Sequence, residues 1–187
     1  MQRAHGGAPA PGWRTLLRGS ALPVHPWAAH IPGVKVVVPS TAGECKGLLK
    51  TAIRDNDPVM FFEHKMLYTT KFNDVPEVEE DVCIPFGRAR IVAEGADITV
   101  VTNSMMTIKA EKAVRQLQKE GISAELIDLR TIVPLDTETI IRSVKKTGKL
   151  LIVDEGHLSF GITGEIASRI MPDVFYDLDA PIQRMGT

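Results

Sequence analysis

Short apolar runs alternate with amphipathic stretches along most of the chain. The runs predict buried strands over residues 34–38, 59–62, 98–102, 124–129, 150–153 and 174–178. Between them apolar side chains recur every three or four residues, which predicts helices over residues 107–120, 136–146 and 161–170 and another that starts at Thr41. Strands that are nearly all apolar and alternate with helices are typical of an α/β fold, with a mainly parallel sheet and helices on both faces.

The ends of the predicted helices carry residues that commonly cap helices. Thr41 and Glu44 have the capping-box spacing, in which a hydroxyl and a carboxylate each accept a hydrogen bond from a free amide. Asp136 is a good N-cap residue, and Gly121 and Gly148 stand where two helices should stop. The apolar positions predicted to face inward are Ala42, Cys45, Leu48, Leu49, Ala52 and Ile53; Ala110, Ala113, Val114 and Leu117; Ile140, Ile141 and Val144; and Ile162, Ile166 and Ala167.

The chain changes character near residue 28. Residues 1–28 lack apolar periodicity, and the first acidic residue of the chain is Glu44. Arginines without carboxylates could indicate an organelle transit peptide, but the four prolines of this segment would break the amphipathic helix of such a peptide. We therefore predict an irregular segment over residues 1–28 that need not be native to the fold. We also predict a linker over residues 64–86, with a solvated acidic run at residues 77–81.

Composition and charge limit the possible functions. The 187 residues include 22 basic and 23 acidic side chains, and the net charge of -1 gives no electrostatic case for binding nucleic acid or an anionic membrane. No apolar run approaches the roughly 20 residues that a membrane span needs. The two cysteines form no CxxC pattern, and Cys45, on the apolar face of a predicted helix, should be a buried reduced thiol. These features predict a soluble globular protein of a reducing compartment.

The change from helix to strand between Thr51 and Pro58 brings together carbonyl groups and two carboxylates. A helix C-terminus leaves its last four carbonyl groups unpaired and carries a partial negative charge. Asp55 and Asp57 would add to it an oxygen-rich corner that could hold a hard cation. The alternative is an ordinary helix stop in which Asp and Asn serve as turn formers, and the spacing alone favours this alternative.

Two polar clusters follow predicted strands and contain acid and base groups. Glu63, His64 and Lys65 follow one strand, and Asp154-Glu155-Gly156-His157 follows another at its carboxyl end, where parallel sheets place ligands. Acid–base chemistry is one interpretation of each cluster. The other is that polar residues at a strand end only meet water, and the second cluster has no nucleophile or third metal ligand beside it.

Two further features indicate packing instead of binding. Met105 and Met106 have no neighbouring His or Cys, so we interpret them as core or interface residues and not as a copper site. Gly156, Gly161 and Gly164 do not form a GxGxxG pattern, and a GxxxxGK[ST] pattern does not occur in the sequence. The sequence therefore gives no support for binding of a nucleotide phosphate.

Five stretches resemble the β subunit of the 2-oxo acid dehydrogenase E1 component, of the pyruvate, branched-chain or acetoin type. They are Ala-His-Ile-Pro-Gly at 29–33, Gly-Leu-Leu-Lys with Ala-Ile-Arg-Asp at 47–55, Phe-Glu-His-Lys at 62–65, Asp-Leu-Arg-Thr-Ile-Val-Pro-Leu-Asp at 128–136, and Leu-Asp-Ala-Pro at 178–181. The resemblance implies that residues 29–63 are the C-terminal part of a pyrimidine-binding domain. It implies that residues 87–187 are a transketolase-type C-terminal domain.

The resemblance also implies a chemistry and a set of partners. The reaction would be oxidative decarboxylation of pyruvate or a related 2-oxo acid, with transfer of the acyl unit to a lipoyl group on E2. Thiamine diphosphate and magnesium would belong to the assembled enzyme, together with an E1 α subunit, a second β subunit and the E2 acyltransferase. The expected location is the bacterial cytoplasm or, in a eukaryote, the mitochondrial matrix. In the family a structural potassium site, built largely from main-chain oxygens, falls on the positions Ala52, Ile53, Asp55 and Asp57.

No catalytic or cofactor-binding residue is carried over from the family. The family's acid that activates the cofactor would lie before Met1, Ser20 stands near the place of its catalytic histidine, and His25 is offset from that place. We interpret residues 1–28 as the product of a shifted reading frame or a mis-called start, and the chain alone as inactive. The alternatives are a stand-alone interaction domain that binds an E1 α subunit or E2, and the β subunit of an acetoin dehydrogenase.

Overall fold

The computed structural model describes residues 24–69 and 82–187. Residues 1–23 of the predicted irregular segment 1–28 and the acidic run at 77–81 lie outside these ranges. For the described residues 25–28 the prediction is wrong, because they form most of helix α1 (His25–Ala29), in which His25 and Ala28 are buried. The helices are α1 His25–Ala29, α2 Ala42–Arg54, α3 Ser104–Lys119, α4 Thr137–Thr147 and α5 Ile162–Val174, with a short 3-10 helix at Lys65–Tyr68. The strands are β1 Lys35–Val37, β2 Val59–Phe61, β3 Arg90–Ala93, β4 Ile98–Thr102, β5 Ala124–Asp128, β6 Thr131–Val133, β7 Leu150–Val153 and β8 Gln183–Met185.

The strands form two sheets. The larger has the order β3-β5-β4-β7-β8, and every neighbouring pair is parallel except β3 with β5. The smaller has the order β2-β1-β6, in which β1 is parallel to β2 and antiparallel to β6. Arg130, with a positive φ of 59°, turns the chain from β5 into β6. The smaller sheet therefore joins the N-terminal part, residues 24–69, to the C-terminal part, residues 82–187.

Helices cover both faces of the larger sheet, which confirms the predicted α/β class. On one face α4 and α5 pack over a core centred on Ile127, Ile140, Ile152 and Ile166, and this core extends to Val36 of β1. On the other face α3 covers a smaller core with Val100, Val114 and Leu126 at its centre. None of the helices in the described ranges is long and apolar enough to cross a membrane.

The predicted helix caps at Thr41, Asp136 and Gly148 are confirmed with one difference. However, α3 begins at Ser104 and not at residue 107, and α5 ends at Val174 and not at residue 170. Asp136 accepts a hydrogen bond from the amide of Thr139, and Gly148 ends α4 with a φ of 67°. Thr41 accepts from the amide of Glu44, as the capping box requires. The Glu44 carboxylate does not return to Thr41 but accepts from the amide of Ser40 at 3.2 Å, because buried partners outside the helix attract it.

One prediction about strands is wrong, and three strands were not predicted. Residues 174–178 contain no strand, because α5 continues to Val174, whose side chain is buried on the same helix face as Ile166 and Ile170. The last strand is instead β8, in which all three side chains are exposed and only its pairing with β7 defines the strand. Strands β3 and β6 are absent from the sequence prediction because their apolar runs, of three and two residues, are too short to indicate a strand.

The predicted inward faces of α2 and α3 also need correction. In α2 the buried residues are Glu44, Gly47 and Leu48, whereas Leu49 and Ile53 of the predicted apolar stripe are 43 % and 75 % exposed. The further residues that were predicted to face inward but are exposed are Ala42 of α2 and Ala113 of α3. The apolar periodicity predicted helix α2 but not which of its faces is buried, because α2 directs the carboxylate of Glu44 towards the C-terminal part.

Candidate functional site

Polar side chains converge at the carboxyl edge of the larger sheet. The chain passes from β4 through α3 to β5 on one side of β4 and then through α4 to β7 on its other side. The crevice between the carboxyl ends of β4 and β7 is therefore a topological switch point, where open α/β sheets bind ligands. Asn103 follows β4 and Asp154 follows β7, so these two residues mark the crevice.

Asn103 and Asp154 bond to each other and to the N-terminal part. The Asn103 amide donates to Asp154 Oδ1 at 2.9 Å, and His25 Nε2 of α1 lies 3.4 Å from the same oxygen. The amide of Gly156 donates to Asp154 Oδ2 at 3.0 Å. Burial alone would raise the pKa of Asp154, but the contact with His25 and these hydrogen bonds outweigh it and hold that pKa below its usual range. Asp154 is therefore an ionised anchor for α1.

The neighbouring Glu155 bonds in a different direction. Its Oε2 lies 2.7 Å from His64 Nε2, and its Oε1 lies 3.4 Å from Lys109 Nζ of α3. His64 Nδ1 accepts a hydrogen bond from the amide of Met66 at 3.2 Å, which leaves Nε2 as the nitrogen that donates to Glu155. His64 thus links the end of β2 to the end of β7.

The acid–base interpretation of residues 154–157 is therefore not supported, because their side chains have separate partners. Asp154 contacts α1, Glu155 contacts His64, and His157 Nδ1 lies on the exposed side, 3.3 Å from the carbonyl oxygen of Thr187. Within residues 24–69 and 82–187, no three His, Cys, Asp or Glu side chains form a group that could hold a metal ion. The edge of the sheet holds the two parts of the chain together.

The second predicted cluster is likewise divided among different contacts. Glu63 accepts hydrogen bonds from the thiol of Cys45, at 2.9 Å, and from the hydroxyl of Tyr68. These two bonds hold the pKa of Glu63 below its usual range. Cys45 is half-buried and not fully buried as predicted, and its burial, together with Glu63, raises its pKa to about 12, so that it remains a thiol. Both cysteines are free.

A buried ionic cluster lies at the carboxyl end of β5. Glu44 Oε1 is 2.8 Å from Arg90 Nε and accepts a hydrogen bond from Arg130 Nε at 2.8 Å. Ser40 Oγ contacts carboxylate oxygens of both Glu44 and Asp128. Burial alone would raise the pKa of Glu44, but the two arginines outweigh it and lower that pKa. The cluster joins the start of α2 to β3, β5 and the turn after β5.

The predicted cation corner at the end of α2 contains an internal ammonium group. Lys35 Nζ of β1 lies 2.8 and 2.7 Å from the two carboxylate oxygens of Asp55 and 3.0 Å from Asp57 Oδ2. The carbonyl oxygen of Ala52 accepts from the amide of Asp55, and the Ile53 side chain points to solvent. The oxygen atoms at this corner therefore suit a group with a single positive charge. In this structure the ammonium group of Lys35 is that group for the side-chain oxygens.

A groove of about 940 Å³ runs between α1 and the loop before α5. Its walls include Ile132, Leu135 and Ile162, and its rim carries Trp27 and Phe160. Trp27 is 80 % exposed, and Phe160 is fully exposed with a positive φ of 58°. Large exposed aromatic side chains at an apolar groove are typical of a contact surface for another protein.

Sequence reasoning identified some of these residues and missed others. Asp154, Glu155 and His64 were predicted from their places at strand ends, although as separate clusters. Asn103 was missed, and its position directly after the predicted strand 98–102 was the signal that could have found it. Ser40 had no such signal, because its partner Asp128 is distant in sequence.

Two family models match the chain. The model for the transketolase C-terminal domain matches residues 87–187, and the model for the transketolase pyrimidine binding domain matches residues 20–71. The lengths of these matches indicate a chain built from parts of two domains, which in the structure meet at β1 and β6.

Curated relatives and a solved structure extend the comparison. The chain is 52 % identical over 155 residues to the pyruvate dehydrogenase E1 component subunit beta of Rickettsia felis, covering 83 % of this chain and 47 % of that protein. It is 47 % identical over 158 residues to the 2-oxoisovalerate dehydrogenase subunit beta of Bacillus subtilis, covering 84 % of this chain and 48 % of that protein. The chain thus spans about half the length of these relatives. A structure described as a split gene transketolase, inactive beta4 tetramer, shares the fold, with a TM-score of 0.68 at 23 % identity over 87 % of this chain and 51 % of that one.

Proposed function

Because the chain belongs to the transketolase C-terminal domain family, we propose that it is part of the β subunit of a 2-oxo acid dehydrogenase E1 that depends on thiamine diphosphate. The observation that carries the proposal is the 52 % identity over 155 residues to an E1 β subunit. The reaction is the oxidative decarboxylation of pyruvate or a related 2-oxo acid, with acyl transfer to lipoyl-E2. The bound cofactor supplies the electron sink for that reaction, and magnesium accompanies it.

The role of this chain within such an enzyme is to position one domain against the other. Strands β1 and β6 pair across the junction, and Asp154 and Glu155 bond to His25 and His64 of the N-terminal part. These contacts fix the end of the pyrimidine-binding domain on the C-terminal domain. We assign no catalytic residue within the described ranges, since the polar groups at the sheet edge are engaged in this junction.

The proposal includes a potassium ion at Ala52, Ile53, Asp55 and Asp57. Its support is the donor set at the end of α2, where helix carbonyl groups meet two carboxylates that already hold the ammonium of Lys35. A bound ion would neutralise the partial negative charge of the helix end and fasten α2 to β2. Lys35 competes with it for the same carboxylates.

Two exposed apolar surfaces support a multisubunit assembly. Leu49 and Ile53 on α2 suit further contacts of the pyrimidine-binding domain, and Trp27 and Phe160 at the groove suit an E1 α subunit, a second β subunit or the E2 acyltransferase. Large side chains of this kind lose exposed apolar surface on association. The expected location of the assembly is the bacterial cytoplasm or the mitochondrial matrix.

A complementation assay tests the proposal. The chain is co-produced with an E1 α subunit and with the part of the Rickettsia felis β subunit that this chain does not match. We expect no decarboxylation by the chain alone. With all components, thiamine diphosphate and magnesium, we expect decarboxylation measured with an artificial electron acceptor. A panel of pyruvate, 3-methyl-2-oxobutanoate and acetoin distinguishes the three branches of the family through reduction of this acceptor, since acetoin is cleaved to acetaldehyde and an acyl unit and loses no carbon dioxide.

The same assay distinguishes a second candidate, a non-catalytic interaction domain. The observation that favours it is that Asp154 and Glu155, the acidic groups at the switch point, bond across the domain junction. A stable complex with the α subunit that has no activity with any of the three substrates would favour the interaction domain. Failure to associate with any component would contradict both candidates.

A further inference from the structure

The hydroxyl group of Ser40 stands between two buried carboxyl groups. Ser40 Oγ lies 2.7 Å from Glu44 Oε2 and also contacts Asp128 Oδ2. All three residues are at most 3 % exposed. A serine hydroxyl has one proton and can donate it to only one of the two carboxyl groups. Two ionised carboxylates would leave one oxygen facing the Ser40 oxygen without a proton between them, and such an arrangement is costly in a buried site.

The surroundings of the two carboxyl groups show which one is ionised. Glu44 accepts hydrogen bonds from the amide and hydroxyl of Ser40 and from Nε of Arg130 at 2.8 Å, and its Oε1 also lies 2.8 Å from Nε of Arg90 in an ion pair. Besides Ser40, Asp128 has the amide of Arg130 at 3.2 Å and a longer contact of 3.5 Å with Arg90. Hydrogen bonds to a carboxylate favour its ionised form, so the negative charge belongs on Glu44.

We propose that Asp128 of the folded chain carries a proton at slightly acidic pH and donates it to Ser40, which in turn donates to the ionised Glu44. The two arginines then face one negative charge, and the hydrogen-bonded chain runs in a single direction from β5 to α2. Loss of the Asp128 proton removes the donor and places a second negative charge beside Glu44. The cluster is therefore a pH-sensitive contact that joins the start of α2 to the edge of the larger sheet.

The sign of the pH dependence follows from the burial of Asp128. Its complete burial, with the charge of Glu44 beside it, raises the pKa of Asp128 from an ordinary value of 3.8 to about 7. The folded chain thus keeps a proton that the unfolded chain releases near pH 4. The stability that this proton provides is fully present below that pH and is lost as the pH rises to about 7. Glu44, with its lowered pKa, is ionised throughout this interval. Among the described residues, the charged groups that face Asp128 are Glu44, Arg90 and Arg130.

The test compares two isosteric variants of the full chain, Asp128→Asn and Glu44→Gln, by urea unfolding between pH 5 and pH 8.5. Asparagine reproduces the neutral acid, because its amide can donate to Ser40 while its oxygen accepts from Arg130. We expect the Asp128→Asn midpoint to exceed that of the wild type slightly at pH 5 and by a larger margin at pH 8.5, because the stability that the Asp128 proton provides is lost between about pH 4 and about pH 7. Glu44→Gln should be less stable than the wild type at both pH values. Histidines common to all three proteins cancel in the comparison.

A wild type that is more stable than Asp128→Asn at pH 8.5 would overturn the proposal. If Asp128 is ionised and paired with Arg90, Asp128→Asn should lose stability at every pH and lose most at pH 8.5. A second measurement applies even if a variant does not fold. Wild-type protein with carboxyl-labelled aspartate should show, at pH 6, an infrared band of a protonated carboxylic acid that disappears by pH 8.5. Absence of that band at pH 6 would exclude a proton on Asp128.

Discussion

His64 Nε2 lies 2.7 Å from Glu155 Oε2, so a residue that follows β2 is bonded to a residue that follows β7. The two side chains are 20 % and 30 % exposed, and the contact crosses from the N-terminal part to the C-terminal part. We expect Glu155→Gln to lower the free energy of unfolding by about 1 kcal/mol, since the partner is only partly solvated.

The matched control for this prediction is Glu111→Gln. Glu111 Oε1 also lies 2.7 Å from its partner, Arg115 Nη2, but this pair is on the surface of α3. We expect a loss of only about 0.3–0.5 kcal/mol, as for other helix pairs at this spacing. Equal losses in the two variants, measured by urea unfolding at pH 7, would contradict a special role of the His64 contact.

Asp154 should contribute to resistance against acid. Its pKa is lowered, so its contribution to stability is present above pH 4 and is lost as the pH falls through the lowered value. We expect Asp154→Asn to cost about 1–3 kcal/mol at pH 7, because one amide hydrogen would face the Gly156 N–H. The difference from the wild type should shrink below pH 4. A difference that grows on acidification, in denaturation curves from pH 3 to 7, would show that Asp154 is not ionised in the folded chain.

Lys35 should determine how strongly the chain responds to potassium. Lys35→Met removes the ammonium group from Asp55 and Asp57. We expect this variant to gain more in melting temperature than the wild type when potassium chloride replaces choline chloride at equal ionic strength. The opposing carboxylates in the variant would then have no internal cation and would favour a bound one. Equal responses of the two proteins would argue against a potassium site that includes these side chains.

Ile53 provides a test of the proposed subunit assembly that is separate from folding. Its side chain is 75 % exposed, so Ile53→Ser should change the free energy of unfolding of the chain alone by no more than about 0.5 kcal/mol. The same variant should bind the complementing part of an E1 β subunit more weakly. Ile122→Ser, at a 40 % exposed position in the C-terminal part, is the control and should bind normally. Equal binding of both variants would remove α2 from that interface.

Gly95 should tolerate no side chain. A Cβ atom at this position would lie 2.2 Å from the carbonyl carbon of Ala124 and from the amide nitrogen of Glu125. These are backbone atoms of β5, so Gly95→Ala should displace β3 and abolish stable folding. At Gly121 a Cβ atom would meet no neighbour within 4 Å, and the cost of Gly121→Ala should be only the strain of its φ of 86°, about 1 kcal/mol. Soluble expression and melting temperature compare the two.

The sequence predicted those elements whose periodicity arises from burial on the larger sheet. Strands β4, β5 and β7 are apolar because helices cover both of their faces, and the caps at Asp136 and Gly148 act within a few residues. Both signals are local in sequence. Strand β8 escaped prediction for the opposite reason, since its exposed side chains carry no pattern and its backbone pairing with β7 alone defines it.

The junction between the two parts could not be predicted in the same way. Ser40 and Asp128 are separated by 88 positions, and neither flanking sequence indicates the other. The orientation of α2 followed from that junction, because Glu44 faces the arginines while Ile53 faces solvent. An apolar stripe in the sequence identifies a helix. The buried charge of Glu44, however, needs a partner of opposite charge, and only the folded structure shows which arginines lie near it.

Strand β6 belongs by sequence to the C-terminal part and by hydrogen bonding to β1. A fragment cut at residue 87 would therefore not be a free-standing unit. It would keep β6 as an open edge, with the carbonyl of Arg130 no longer bonded to the amide of Val38 and with Arg90 and Arg130 deprived of Glu44. The boundary between the two family models thus separates two sequence families but not two independently stable parts. Residues 24–69 and 82–187 should unfold together as one cooperative unit.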